Sequence, residues 1–134
     1  MKDLYLVGDV NEELVIKTLE FFTEHGTSGA PVKIFISSLG GHFYDGLAIY
    51  DILRSLDRDV HMVAVGLVAS ASFLIYLAGD KRYASEHAIF MNHKGDVSGV
   101  SGSDHELLAE AKIMIHSEDI ANKIIAERTN YKTK

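Results

Sequence analysis

The chain has 134 residues and a mass of 14.8 kDa, the size of one domain. At 47% hydrophobic and 24% charged, with a mean hydropathy of +0.07, it carries enough apolar side chain for a core, which excludes disorder as its main state. Zero cysteines exclude a disulfide framework, a thiolate metal site and a cysteine nucleophile, and 13 Lys+Arg against 19 Asp+Glu (net charge -6) supply no basic stripe for nucleic acid.

Leu4–Val7 reads as a short first strand. Asp9-Val10-Asn11-Glu12 has the spacing of a capping box, and Leu14, Val15, Thr18, Leu19 and Phe22 follow at helical intervals until Gly26 to Pro31 closes the helix. Val32–Ser37 is β-branched and aromatic, which predicts a fully buried strand. Gly40-Gly41 breaks the chain, and a second helix from Phe43 to Leu56 places Phe43, Leu47, Tyr50 and Leu53 on one stripe. Val60–Val65 alternates as a strand, Gly66 interrupts it, and Ala69–Ala78 reads as a compact helix. Tyr83–Ala84 and Ala88–Met91 predict two more short strands. Asp96–Ser103 is a Gly/Ser-rich loop, and Ser103-Asp104-His105-Glu106 then caps a long helix running to about Arg128.

One stretch has the length of a membrane span: the 20 residues from Val60 to Gly79 contain no Lys, Arg, Asp or Glu. His61, Gly66, Ser70 and Ser72 interrupt it, and its periodicity changes partway, so a buried strand feeding a buried helix is expected and no membrane span. The first residues hold no signal-peptide core, and the expected location is cytoplasmic.

Strands alternating with helices predict an α/β fold with a mostly parallel sheet, in which chemistry gathers where strand ends feed helix starts. Three segments have that placement. Gly66 to Ser72 puts Ser70 at the first turn of a helix, either as a nucleophile with backbone N–H donors beside it or as an ordinary helix N-cap. Ile36 to Gly41 ends in paired glycines, which let backbone approach a ligand or simply make a tight turn; without a Walker-type lysine it is no phosphate loop. Met91-Asn92-His93-Lys94-Gly95 brings a histidine out of a strand, either as a general base or as a hydrogen-bonded structural residue. The other six histidines (His25, His42, His61, His87, His105 and His116) show no ligand spacing; His87 and His93 with Asp96 are the one metal alternative, and no metal or cofactor is expected.

Jointly these segments carry a resemblance. Ile36-Ser37-Ser38-Leu39-Gly40-Gly41, Gly46 to Asp51, Gly66 to Ser70, Ala78-Gly79 with Lys81-Arg82-Tyr83, and Met91-Asn92-His93 resemble, in order and spacing, the proteolytic subunit of the Clp protease. The resemblance covers Leu4 to Asn130 and implies the ClpP/crotonase fold, with repeated β-β-α and βαβ units, a mostly parallel sheet and a long C-terminal handle helix, over a single domain spanning 1–134. It implies a serine endopeptidase that acts on peptides or unfolded polypeptides by acyl transfer. Ser70 falls on the nucleophile, His93 on its general base, and the backbone N–H groups of Gly41 and Ala71 on the oxyanion hole. Gly40, Gly41 and His42 fall where the family binds extended peptide through main-chain hydrogen bonds. Ser72 lies two residues deeper, so Ser70→Ala is expected to abolish hydrolysis and Ser72→Ala largely to spare it. The resemblance implies a homo-oligomeric ring, a heptamer or stacked heptamers; in the last helix Leu107, Ala111, Met114, Ala121 and Ile124 form one stripe that Leu108, Ile115 and Ile125 widen, which suits packing on two sides or covering its own sheet in a smaller oligomer or monomer.

The sequence departs from the family at several points. Leu39 replaces the usual proline before Gly-Gly, with His42-Phe43 after it, Ala71 stands in place of methionine, and Asn92 and Lys94 flank His93. No residue matches the family's catalytic aspartate, which leaves Asp96 and Asp104 as loose candidates to orient His93. The family's N-terminal axial loops have no counterpart, so coupling to an ATPase unfoldase is not expected. The alternatives are a catalytically weak or silent Clp-like subunit that assembles with or modulates a complete protease, of viral origin in one version, and a crotonase-type acyl-CoA binder on the same fold.

Overall fold

The computed structural model describes residues 2–92 and 103–130. The chain divides into one compact unit ending at Asn92 and a second beginning at His93.

In the first unit, β1 (Leu4–Val7), α1 (Glu12–His25), β2 (Val32–Ser38), α2 (Phe43–Arg54), β3 (Val60–Ala69), α3 (Ala71–Tyr76), β4 (Lys81–Ala84) and β5 (Ile89–Met91) follow in order. The strands make one parallel sheet ordered β1-β2-β3-β4, with β5 pairing the far half of β3. Parallel neighbours cannot be joined by a tight turn, and α1 and α2 supply the crossovers. Alternation decides which face is core: Val32, Ile34 and Ile36 of β2 and Val60, Met62 and Ala64 of β3 are buried. Lys33, Phe35 and His61 point to the other face, where the Phe35 ring stacks on Tyr5 at 5.4 Å and the Lys33 ammonium lies 5.4 Å from its centroid. The Nε2 atom of His61 is buried without a hydrogen-bond partner among the described residues.

α1 buries Leu14, Thr18 and Phe22, one per turn, and the Thr18 hydroxyl donates to the Leu14 carbonyl at 2.8 Å. Its N-cap is Asn11, whose side chain accepts the Leu14 N–H at 3.0 Å, and not Asp9 as the capping-box spacing suggested. The reason is tertiary. Val10 is held extended between Gly40 and His42, so helical geometry begins only after it.

β3 also differs from expectation. It does not stop at Val65 but runs to Ala69, and the following helix is only Ala71–Tyr76. Gly66, at φ +69°, lets the strand bulge instead of ending: two steps along β2, from Ile36 to Ser38, match four along β3, from Ala64 to Val68. No helix among the described residues is long and apolar enough to cross a membrane.

In the second unit, α4 spans Asp104–Arg128. Its capping box is complete, with the Ser103 hydroxyl accepting the Glu106 N–H and the Glu106 carboxylate accepting the Ser103 N–H, both at 3.2 Å. Leu108, Ile113 and Ile115 on this helix are exposed.

Candidate active site

Ser70 occupies the single residue between the end of β3 and the start of α3, at φ 57° and ψ −127°. Among the described residues it is the one non-glycine with positive φ. Such a conformation costs on the order of 1–3 kcal/mol and persists only where the surroundings impose it. Here they do: the Ser70 N–H donates to the Met91 carbonyl at 2.9 Å, and the Ser70 carbonyl accepts the Phe73 N–H at 2.9 Å. β5 is placed to accept that bond by its pairing with Leu67, Val68 and Ala69 and by Phe90, whose ring packs on Tyr76 at 4.9 Å and Phe73 at 6.1 Å.

Backbone pinning on both sides leaves the hydroxyl unused. Ser70 stands at the N-cap position of α3, yet its side chain makes no capping bond and no other hydrogen bond among the described residues. The ordinary N-cap reading therefore fails for it.

The paired glycines lie against this turn. A Cβ on Gly40 would fall 2.7 Å from Ser70 Cβ, 2.9 Å from the Ala69 carbonyl oxygen and 3.3 Å from Ser70 Oγ. Gly40 is at φ +104° and Gly41 at φ +154°, so both lie in the region that glycine tolerates. A Cβ on Gly41 would collide with the Val10 carbonyl oxygen. Val10 clamps this segment from the other side, its N–H donating to the Gly40 carbonyl and its carbonyl accepting the His42 N–H, each at 2.9 Å. Gly41 N–H and Ala71 N–H are left with no acceptor among the described residues. Two donors without an acceptor among the described residues thus stand near the Ser70 turn, one on the next residue and one next to Gly40, which packs over it. With α3 only six residues long, these N–H groups, more than a helix dipole, are the local electropositive feature.

Of the other residues singled out from the sequence, His42 is exposed with its N–H already bound to Val10. His93 and Asp96 lie outside the described residues, and Asp104 opens α4. No group of three metal-binding side chains occurs among the described residues. Ser72 is fully buried, and its hydroxyl accepts the Ala69 N–H at 2.9 Å while lying 2.7 Å from the Ala69 carbonyl and 3.0 Å from the Ser38 carbonyl. A hydroxyl so placed has no access to a substrate.

Three contributors were given no role of their own by the sequence reading, although Ser38 and Gly46 stand in segments that carried the resemblance. Val10 acts through its backbone and leaves no signature. Ser38 is buried and accepts the Gly40 N–H on its hydroxyl at 3.0 Å. Gly46, inside α2, lets that helix approach the start of α3, because a Cβ there would meet Ala71 Cβ at 3.0 Å; a glycine interrupting a helical pattern is the signal that would have found it.

The chain as a whole has known relatives. The Clp protease family profile matches residues 3–134. The ATP-dependent Clp protease proteolytic subunit 2 of Treponema denticola is 33% identical over 132 residues, covering 96% of this chain and 66% of that protein. Subunit 2 from Gluconobacter oxydans is 30% identical over 133 residues, covering 96% of this chain and 59% of its own length. A point mutant of ClpP1 from Listeria monocytogenes superposes with a TM-score of 0.81 at 30% identity, over 98% of this chain and 73% of that one. The chain thus spans just under two thirds of the length of the first of these relatives and less of the second. With the profile running from residue 3 to residue 134 and the fold matching at 30% identity, the chain belongs to the Clp protease family.

Proposed function

We propose that this protein is a serine-type endopeptidase that cleaves peptides or unfolded polypeptides by acyl transfer to Ser70. The observation that carries the reading is the Ser70 turn itself: a strained serine whose hydroxyl makes no hydrogen bond among the described residues, with the free N–H groups of Ala71 and Gly41 beside it. A structural serine would cap the helix or fill a hydrogen bond, and among the described residues it does neither.

In this reading His93 removes the Ser70 Oγ proton as Oγ attacks the scissile carbonyl carbon. The C=O oxygen gains negative charge, which Gly41 N–H and Ala71 N–H stabilise; one such donor is worth roughly 100- to 1,000-fold in kcat. The C–N bond then breaks, the leaving amine takes the proton from His93, and water hydrolyses the acyl-enzyme by the same route. Gly40 is buried against the Ser70 turn and Gly41 beside it is exposed, where an extended peptide would be read by main-chain hydrogen bonds with little regard to side chain. Such an enzyme is placed in the cytoplasm.

The same reading assigns a homo-oligomeric ring, seven-membered or a stack of two such rings, in which α4 meets other subunits. Exposed Leu108, Ile113 and Ile115 support it, since a helix that leaves large apolar side chains in water gains by covering them.

The test is covalent labelling with a fluorophosphonate, read by intact mass and peptide mapping, beside Ser70→Ala and His93→Ala. One adduct on Ser70 that depends on His93 is the expected result. A folded, assembled sample without an adduct would overturn the peptidase reading and favour a silent subunit that modulates a complete protease.

A further inference from the structure

The peptidase reading gives no task to Ser72. It is a polar side chain at 0% exposure, at a helix position where alanine would pack equally well. Its contacts are specific. The hydroxyl accepts the Ala69 N–H at 2.9 Å, and its one proton has two carbonyls in range, those of Ala69 at 2.7 Å and of Ser38 at 3.0 Å. Ser38, also buried, accepts the Gly40 N–H on its own hydroxyl at 3.0 Å.

These bonds form a continuous line: Gly40 N–H to the Ser38 hydroxyl, and, through Ser38 itself, the Ser38 carbonyl to the Ser72 hydroxyl and on to Ala69. At one end lies the Gly40–Gly41 segment with its free Gly41 N–H. At the other lies Ala69, bonded covalently to Ser70. The line crosses from β2 to β3 just beyond the bulge, where the register of the ladder has shifted between Ile36 and Ser38 and no longer fixes the strand ends by regular pairing alone.

We propose that Ser72 is a positioning residue: its hydroxyl braces the Ser70 turn against the Gly40–Gly41 segment and so sets the distance between the nucleophile and the Gly41 oxyanion donor. The inference rests on the peptidase reading of Ser70 above. It replaces the sequence expectation that Ser72→Ala is nearly silent. Removing the hydroxyl leaves the buried Ala69 N–H and Ser38 carbonyl short of their partner, and a displacement of about 1 Å at a reacting centre costs on the order of 100-fold in rate.

The test compares wild type, Ser72→Ala, Ser72→Thr and Ser72→Cys by two readouts. The first is amide hydrogen exchange. Ser72→Ala should accelerate exchange at Ala69 and Gly40 by at least tenfold, with Val60–Ala64 unchanged; unchanged exchange at both sites overturns the brace. The second is peptide turnover per folded molecule. Ser72→Ala should lower kcat by roughly 10- to 100-fold with KM within about twofold, and whichever of the Thr and Cys variants keeps wild-type exchange should recover most of it. A kcat per folded molecule that stays at the wild-type value, with only the folded fraction reduced, means a merely structural role and overturns the proposal. Wild type without turnover that Ser70→Ala abolishes would trace the failure to the peptidase reading, and the positioning role would fall with it.

Discussion

Gly40 packs so closely over Ser70 that a Cβ on residue 40 would stand 2.7 Å from Ser70 Cβ, closer than two such atoms approach. Residue 40 must therefore be glycine for two separate reasons, this contact and its φ of +104°. Gly40→Ala is expected to push the segment off the Ser70 turn. Fluorophosphonate labelling of Ser70 should slow by at least about tenfold and stability should fall by roughly 1–3 kcal/mol. Labelling rate and denaturant midpoint, measured on the same sample, check both; wild-type labelling in the variant would show that the close approach has no bearing on Ser70.

Ser70 itself offers a test with opposite signs. Its φ of 57° is strained for serine and costs glycine little. Ser70→Gly should raise stability by about 1 kcal/mol, offset in part by the greater chain entropy of unfolded glycine, whereas Ser70→Ala should not. Both variants should lose covalent labelling entirely. A protein that gains stability when the whole side chain is removed, but not when the hydroxyl alone is, is what a functional residue held at a strained φ predicts; equal melting curves for the two variants would show that the turn stores no strain.

Much of this was legible in the sequence, and the exceptions share a cause. β-branched and aromatic composition located β2, though only one of its faces is buried and Lys33 is exposed on the other, and the capping box located the start of α4, because both signals are local. The motif spacing also placed Ser70 at a strand-to-helix junction. What the sequence did not carry was set by contacts between distant segments. Val10 displaced the cap of α1 from Asp9 to Asn11 by bonding Gly40 and His42. Gly66 read as a break but permits a bulge, because β2 continues to pair beyond it. Ser70 looked suited to capping as well, and the structure shows instead a backbone held by Met91 and packed under Gly40, with the hydroxyl bonded to nothing among the described residues.

Tyr76 makes the pH dependence of stability testable. Burial raises its phenol above the usual value, with nearby Arg82 pulling partly the other way, and its hydroxyl donates to the Tyr83 carbonyl at 3.2 Å. The folded state then holds the proton more tightly than the unfolded state. Its contribution is therefore fully present below the unfolded value of about 10 and is lost as pH rises from there through the folded value. Tyr76→Phe should cost about 1 kcal/mol at pH 7 from the lost bond and should lose less stability than wild type on going to strongly alkaline pH. Parallel alkaline limbs for the two proteins would rule out Tyr76 as a source of the effect.

The last prediction concerns α4 and separates an assembling helix from one that merely leaves apolar residues in water. Leu108 and Ile115 are seven residues apart, hence nearly on one face, and are 55% and 59% exposed. If this face meets other subunits, a charge placed there must be desolvated on assembly, which costs several kcal/mol without a partner. The double variant Leu108→Glu, Ile115→Glu should then keep its far-ultraviolet circular dichroism, because neither side chain belongs to the core, and shift in native mass from a ring or stacked rings to smaller species. Glu110→Gln and Lys112→Gln, made as charge controls between the two positions, should leave the mass unchanged. An unaltered mass in the double variant would remove this face of α4 from the assembly.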